Sequence, residues 1–183
     1  MKRHARRMLT AATLVGLTVA LTAQAAFKLA GDTDVRFQAV GPAGLSIDGE
    51  GTTLSVSEAD GKLKVAAPLK GLKTGIELRD NHLKKTLNVD KHPEATLVVD
   101  RSALKLPDDN ASVESTATGQ FTLNGQTQSV PFTYRAKRTG SDYHVQGRTE
   151  INIEKFKIEQ PCYLGVCVDP NVKVKVKFKL RDN

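Results

Sequence analysis

The sequence predicts an all-β fold in which an antiparallel sheet of about nine strands closes into a barrel or a sandwich. Three observations lead to this class. Apolar and polar residues alternate with a period of two along most of the chain, turn-forming residues recur between the alternating runs, and only one segment has helical spacing. Because each alternating strand has one apolar face, the sheet must bury that face.

The alternation is clearest over residues 143–154 and 172–181, where every second residue is apolar or small and the others are polar or charged. Asn124 and Gly125 predict a tight hairpin because both readily adopt positive φ. Pro131 has no N–H to donate, so it predicts a sheet edge or a bulge. The other predicted strands are 35–40, 45–51, 53–57, 62–69, 95–104, 113–123 and 126–136.

One segment has helical rather than strand spacing. Ile76, Leu83 and Leu87 fall on one helical face, which predicts a short helix over residues 81–87. Asp80 is placed either to cap this helix or to act as an anion in its first turn. A single short helix in an antiparallel protein suits a barrel whose end it plugs or flanks.

Basic residues alternate along the last predicted strand: Lys173, Lys175, Lys177, Lys179 and Arg181. Such a row predicts a solvated strand face whose charges block edge-to-edge association. A binding site for an anionic ligand is the alternative, which we favour less.

The N-terminus has the features of an export signal. A start with four basic residues precedes an uncharged, apolar run over residues 8–21, and Ala23-Gln24-Ala25 is a small-x-small cleavage site. We expect residues 1–25 to be a signal peptide and residues 26–183 to be one mature domain, periplasmic or secreted. A membrane anchor is the alternative, but the run is shorter than the ~20 apolar residues of a spanning helix. We therefore predict no stable membrane insertion.

Removal of the signal lowers the net charge. The whole chain has 27 basic and 20 acidic residues, whereas residues 26–183 have 23 and 20, a net charge of +3. A small positive charge without a basic patch interleaved with aromatic residues does not indicate nucleic-acid binding. No nucleic-acid partner is predicted.

No pattern typical of a catalytic or metal centre occurs in the sequence. The histidines after the signal, His82, His92 and His144, share no metal-ligand spacing, and neither a Gly-rich phosphate loop nor a nucleophile elbow is found. We predict no catalytic residue, no metal and no cofactor.

Cys162 and Cys167 are the two cysteines of the chain. In an exported protein they are expected to form a structural disulfide. A redox-active pair is the alternative, but such pairs prefer the Cys-x-x-Cys spacing.

Three stretches resemble the YceI-like family. Residues 74–83 (TGIELRDNHL) and 89–96 (VDKHPEAT) are similar to its most specific signature. Residues 119–127 (GQFTLNGQT) resemble a family hairpin, and residues 151–158 with 172–178 resemble its closing strands. The resemblance spans essentially all of residues 27–181.

The resemblance implies a lipocalin-like, eight-stranded antiparallel β-barrel with an extended interior and one short helix between strands. Members of the family are periplasmic or secreted, and some bind polyisoprenoid lipids. The chain departs from the family's pattern at residues 160–170, which contain both cysteines, and at residues 40–44, which contain Gly-Pro. Both departures are expected to reshape the mouth of the barrel or its pocket.

The barrel is predicted to hold one elongated apolar ligand, a polyisoprenoid or an isoprenoid quinone. Small residues have inward parity at Gly49, Gly51, Ala67, Ala117 and Gly147, and an eight-stranded barrel is just wide enough for one ligand. A core filled by side chains is the alternative. The predicted lining is Phe37, Leu45, Leu69, Ile76, Leu83, Phe121, Leu123, Phe132, Tyr134, Ile151, Ile153, Phe156, Val176 and Phe178.

Arg79 and His82 lie one helical turn apart, and two roles are open for them. In one, they contact the polar head group of the ligand. In the other, which we favour, Arg79 bonds nearby carbonyl or carboxylate groups while Asp80 caps the helix.

Three functions compete on this basis. We favour a binder of apolar lipid, which an open apolar interior would support. A structural or stress-response protein without a specific ligand would have a filled core, and an enzyme would have converging acid and base groups in its pocket. The sequence leaves a monomer and a homodimer both open.

Overall fold

The structure, a computed structural model, describes residues 26–51, 53–163 and 165–182. The predicted signal peptide lies outside these residues. The strands are β1 Phe27–Leu29, β2 Asp34–Val40, β3 Ser46–Gly51, β4 Ser55–Ala59, β5 Lys62–Pro68, β6 Glu94–Asp100, β7 Ser112–Leu123, β8 Gln126–Thr139, β9 Asp142–Asn152, β10 Cys162–Tyr163, β11 Val166–Cys167 and β12 Asn171–Asp182. Helix α1, Glu77–Thr86, joins β5 to β6.

Ten strands form one antiparallel sheet. Nine follow the order β3-β2-β12-β9-β8-β7-β6-β5-β4, and β1 pairs with the end of β12. β1 and β2 lie along successive parts of β12, and the edge strands β3 and β4 are separated only by residues 52–54. If β1 and β2 are counted as one bent strand, and β3 and β4 as another, the ten strands become the eight that the family resemblance implies. The sheet curls into a half-barrel, so the lipocalin-like, all-β prediction is confirmed.

The nine predicted strands are present with shifted ends. The strand predicted over 95–104 ends at Asp100 because a 3-10 turn follows at Arg101–Ala103. The strand predicted to reach Glu154 ends at Asn152, whose side chain accepts a hydrogen bond from Glu154 N and caps another 3-10 turn. β1, β10 and β11 were not predicted, since two or three residues are too few for a periodic signal.

Pro131 interrupts the sheet locally, as its missing N–H predicts. It pairs with Thr118 of β7, but the ladder between β8 and β9 includes only residues from Thr133 onward, which lies opposite Arg148. The Thr149 hydroxyl donates a hydrogen bond to Pro131 O at 2.8 Å and so satisfies that carbonyl.

β12 lies inside the sheet. It pairs with β9 along one side and with β2 and β1 along the other. Lys173, Lys175, Lys177 and Arg181 are exposed on its outer face, as predicted. The prediction that this row blocks edge-to-edge association is wrong, because β12 has no free edge to protect.

The buried apolar side chains form two clusters at opposite ends of the half-barrel. The first cluster contains Leu123, Ile151 and Phe156, together with Leu87 from the turn after α1. The second contains Phe27, Tyr143 and Leu180. β9 shows the separation, since Tyr143 near its start belongs to the second cluster and Ile151 near its end to the first.

Candidate functional site

Between the two clusters, the inner face of the sheet carries a band of half-buried apolar side chains, which we call the apolar belt. Residues directly opposite each other in antiparallel strands share a face, and the register places Val65, Leu97 and Phe121 in one row. The belt comprises Phe37, Val65, Ala67, Leu97, Ala117, Phe121, Phe132, Val145, Val174 and Val176. Half-burial on the concave face means that solvent reaches these side chains from within the half-barrel.

The small residues of the inner face divide into two groups. A Cβ on Gly49 would lie 2.1 Å from Phe37 Cζ, so the Phe37 ring packs directly over that glycine. A Cβ on Gly147 would meet a single atom within 4 Å, Val176 Cγ2 at 3.0 Å. Gly49 therefore makes room for a neighbouring ring, whereas Gly147 borders free space in the belt.

The structure places the predicted lining residues in three environments. Phe37, Phe121, Phe132 and Val176 belong to the belt, and Leu83 is half-buried on α1. Leu45 and Ile76 are 51% and 53% exposed, outside the belt. Buried in the clusters or beside them are Leu69, Leu123, Tyr134, Ile151, Ile153, Phe156 and Phe178.

Contacts explain why several predicted lining residues are buried instead of accessible. The Phe156 ring packs edge-on against Phe121, with centroids 5.6 Å apart. The Tyr134 hydroxyl accepts a hydrogen bond from Lys105 N and donates one to Lys105 O. The belt also contains Val65 and Leu97, which were absent from the predicted lining although both have inward parity within predicted strands.

An ion pair closes the end of the half-barrel that holds the second cluster. Glu58 is on the inner face of β4 with 6% of its side chain exposed, and both of its carboxylate oxygens accept hydrogen bonds from Arg101 Nη1 at 2.8 Å. Glu58 also accepts a hydrogen bond from Phe27 N, and the Arg101 guanidinium lies 4.2 Å from the centre of the Phe27 ring. The pair therefore fastens β1 to β4. No sequence signal pointed to it, because 43 residues separate the partners.

Arg79 and Asp80, in the first turn of α1, form hydrogen bonds with Thr74, which precedes the helix; we call this arrangement the lock. Arg79 donates to both the hydroxyl and the carbonyl of Thr74, each at 2.8 Å, and Asp80 Oδ1 accepts from Thr74 N and Oγ1. The helix begins at Glu77 rather than at residue 81, and Ile76 occupies the N-cap position. Of its two predicted roles, Asp80 thus acts as the first-turn anion. These bonds support the structural role that we favoured for Arg79, while His82 is exposed on α1.

Protonation of Asp80 should lower the stability of the protein at acidic pH. The hydrogen bond from the Thr74 hydroxyl lowers the pKa of Asp80, and the backbone N–H of Thr74 adds to this effect. A lowered folded-state pKa contributes stability that is present above the unfolded value of about 3.9 and is lost as the pH falls through the folded value.

We expect Asp80→Asn to reduce the difference between the urea midpoints measured at pH 7 and pH 3. Asp90→Asn, at an exposed carboxylate after the same helix, is the matched control and should leave that difference unchanged. Equal pH dependence in wild type and Asp80→Asn would contradict the role of the lock.

The predicted disulfide is present. Cys162 and Cys167 lie opposite each other in the β10–β11 hairpin and are bonded through their sulfurs. This hairpin is connected to the end of β2, because Asp169 N donates a hydrogen bond to Val40 O. The disulfide therefore holds together a loop at the end of the first cluster.

Neither a metal-binding cluster nor a membrane-spanning helix occurs among the described residues. No three His, Cys, Asp or Glu side chains in residues 26–51, 53–163 and 165–182 converge where they could hold a metal ion. None of the helices in that part of the chain is both long and apolar enough to span a membrane.

Comparison with known proteins agrees with this architecture. The sequence matches the profile of the YceI-like domain over residues 18–180, so the chain belongs to the YceI-like family. No curated protein sequence matches significantly.

Solved structures from three bacteria are similar in fold. A polyisoprenoid-binding domain from Saccharophagus degradans, implicated in plant cell wall breakdown, has a TM-score of 0.73 at 15% identity and covers 87% of this chain and 99% of its own. BcnA from Burkholderia cenocepacia has a TM-score of 0.61 at 14% identity, covering 79% and 95%. A YceI protein from Campylobacter jejuni has a TM-score of 0.53 at 13% identity, covering 100% and 99%.

Proposed function

We propose that this chain is an exported, soluble protein that binds one elongated apolar ligand, a polyisoprenoid or an isoprenoid quinone, inside its half-barrel, for carriage or storage and without catalysis. The apolar belt is the observation that carries the proposal. Ten apolar side chains share the concave face and remain half-buried between two packed ends. Leaving such a surface open to water is unfavourable unless a ligand covers it.

The chemistry of the inner face favours a hydrocarbon ligand. Burial of apolar surface contributes about 25 cal/mol per Å², so a long chain gains more from the belt than a small molecule does. Polar residues on the same face include Ser115, Thr149, Gln126 and Gln128. The Thr149 hydroxyl and the Gln128 amide already donate hydrogen bonds to Pro131 O and Lys155 O, which leaves few groups for recognition of a highly polar molecule. The acidic group buried at the closed end, Glu58, is engaged with Arg101, which offers a substrate no free general base.

The length and branching of the ligand are proposed from the family. Some YceI-like proteins bind polyisoprenoids, and the Saccharophagus degradans domain is described as polyisoprenoid-binding. His82, exposed on α1, is proposed to contact the polar end of the ligand.

The direct test is a titration of delipidated protein with an isoprenoid quinone, combined with mass spectrometry of an organic extract of the native protein. We expect an isoprenoid in the extract and a dissociation constant in the micromolar range or below, as expected when most of a ligand is buried in a preformed pocket. A clean extract together with no binding at micromolar quinone would instead favour the structural, ligand-free function, which the packing of Phe37 over Gly49 also supports.

A further inference from the structure

The outer surface of the sheet carries a concentration of positive charge that the interior site does not use. We define the basic face as the outward side chains of β2, β12, β9, β8 and β7. It carries nine Lys or Arg and four Asp or Glu residues, a net charge of +5. Residues 26–183 together have a net charge of only +3, so the residues outside the basic face have a net charge of −2 and the excess of positive charge lies on this face.

The register brings like charges directly together on this face. Lys175 of β12 lies opposite Arg36 of β2 on one side and opposite Arg148 of β9 on the other. Like charges in directly opposed positions of neighbouring strands are destabilising. Arg36 and Arg148 have partners in Asp34 and Glu114, but Lys175 forms no ion pair with any residue that the structure describes.

Two neighbouring grooves lie along the same surface. One has a volume of about 390 Å³ and is lined by Lys173, Lys175 and Arg148 among others, with Glu150 as its one acidic residue. The other, of about 240 Å³, includes Lys175, Lys177 and Arg148 in its lining. Both grooves are open to solvent, so their basic side chains are accessible to a partner that approaches the outer face.

Protection of a strand edge does not explain the charges, because β12 is paired on both sides. We propose that the basic face docks the protein reversibly on an anionic phospholipid membrane. The proposal rests on the proposed function, since a carrier of apolar lipid must meet a membrane to load and unload. Each Lys or Arg near an anionic lipid surface adds to the electrostatic attraction. Several together give binding that salt weakens, because the Debye length is only about 10 Å at 0.1 M salt.

The test uses delipidated mature protein and two vesicle types: phosphatidylcholine alone, and phosphatidylcholine with about 30 mol% phosphatidylglycerol as the anionic lipid. The face variant is Lys173→Gln, Lys175→Gln and Lys177→Gln combined. The control variant combines Lys64→Gln, Lys70→Gln and Lys85→Gln, which removes the same charge from exposed positions outside the basic face. Co-sedimentation gives the fraction bound.

We expect wild type and the control variant to bind the anionic vesicles and to be released by about 0.5 M salt. The face variant should bind at least about tenfold more weakly, and phosphatidylcholine alone should bind none of the three proteins. Equal binding to both vesicle types, an equal loss in both variants, or no vesicle binding at all would overturn the proposal.

The same three proteins are titrated with the isoprenoid quinone, so that a failure of the docking proposal can be distinguished from a failure of the carrier proposal. Unchanged quinone binding in the face variant, together with lost vesicle binding, supports docking as a property of the outer surface. Vesicle binding that depends on the basic face in a protein that binds no quinone would overturn the carrier function and leave membrane docking supported.

Discussion

Arg101→Ala is expected to lower the free energy of unfolding by about 3–5 kcal/mol, the range found when one partner of a buried ion pair is removed. Glu58, with 6% of its side chain exposed, would lose both hydrogen bonds from the guanidinium. The stacking of Arg101 on Phe27 would be lost as well. Urea denaturation of wild type and variant measures the difference.

The matched control is Lys62→Ala, which removes an ion pair with Asp100 whose side chains are both more than half exposed. Exposed pairs contribute about 0–1 kcal/mol, so this variant should remain close to wild type. Hydrogen exchange should in addition show faster exchange in β1 of Arg101→Ala, because Glu58 accepts the hydrogen bond from Phe27 N. A loss below about 1 kcal/mol for Arg101→Ala would contradict the role of the pair.

Ala117→Trp is expected to weaken quinone binding at least about tenfold, because an indole in the belt fills space that we assign to the ligand. Ala117 is half-buried on the inner face of β7, opposite Phe132. An added side chain there would project towards the concave interior. The measurement is the quinone titration, accompanied by a urea denaturation curve that verifies folding.

Thr118→Trp is the matched control, since the next residue of β7 points to the outer face and is exposed. It should bind quinone as wild type does. Ala67→Phe introduces a large ring elsewhere in the belt and provides an independent variant if Ala117→Trp does not fold. Wild-type affinity in a folded Ala117→Trp would place the ligand outside the belt.

Several features could be predicted from the sequence because they depend on neighbouring residues. Alternation with a period of two identifies nine strands and the inward parity of residues such as Phe132 and Val176, since the side-chain direction of a strand follows directly from residue order. The disulfide was predictable because only one partner exists for each cysteine. The TGIELRDNHL stretch indicated the YceI-like family, and the family implied the lipocalin-like topology.

The location of buried charge could not be predicted. Glu58 lies in a strand whose sequence, Ser-Val-Ser-Glu-Ala, reads as half polar, and its partner Arg101 is 43 residues away. The start of α1 also depended on contacts beyond local spacing. Thr74, six residues before Asp80, supplies the donors that hold this carboxylate.

By itself, the sequence determined the class of fold, the nine longer strands, the inward side of each of those nine and the disulfide, because these follow from the local alternation of residues and from cysteine count. Only the tertiary structure decided which inward residues are packed and which are accessible. Phe132 and Tyr134 both point inward from β8, but Tyr134 is buried with its hydroxyl bonded to Lys105, whereas Phe132 stays half-buried. The tertiary structure also decided the role of the lysine row on β12. The pairing of β12 on both sides removes an edge-protecting role and aligns Lys175 with Arg36 and Arg148, an arrangement that exists only once distant strands have paired.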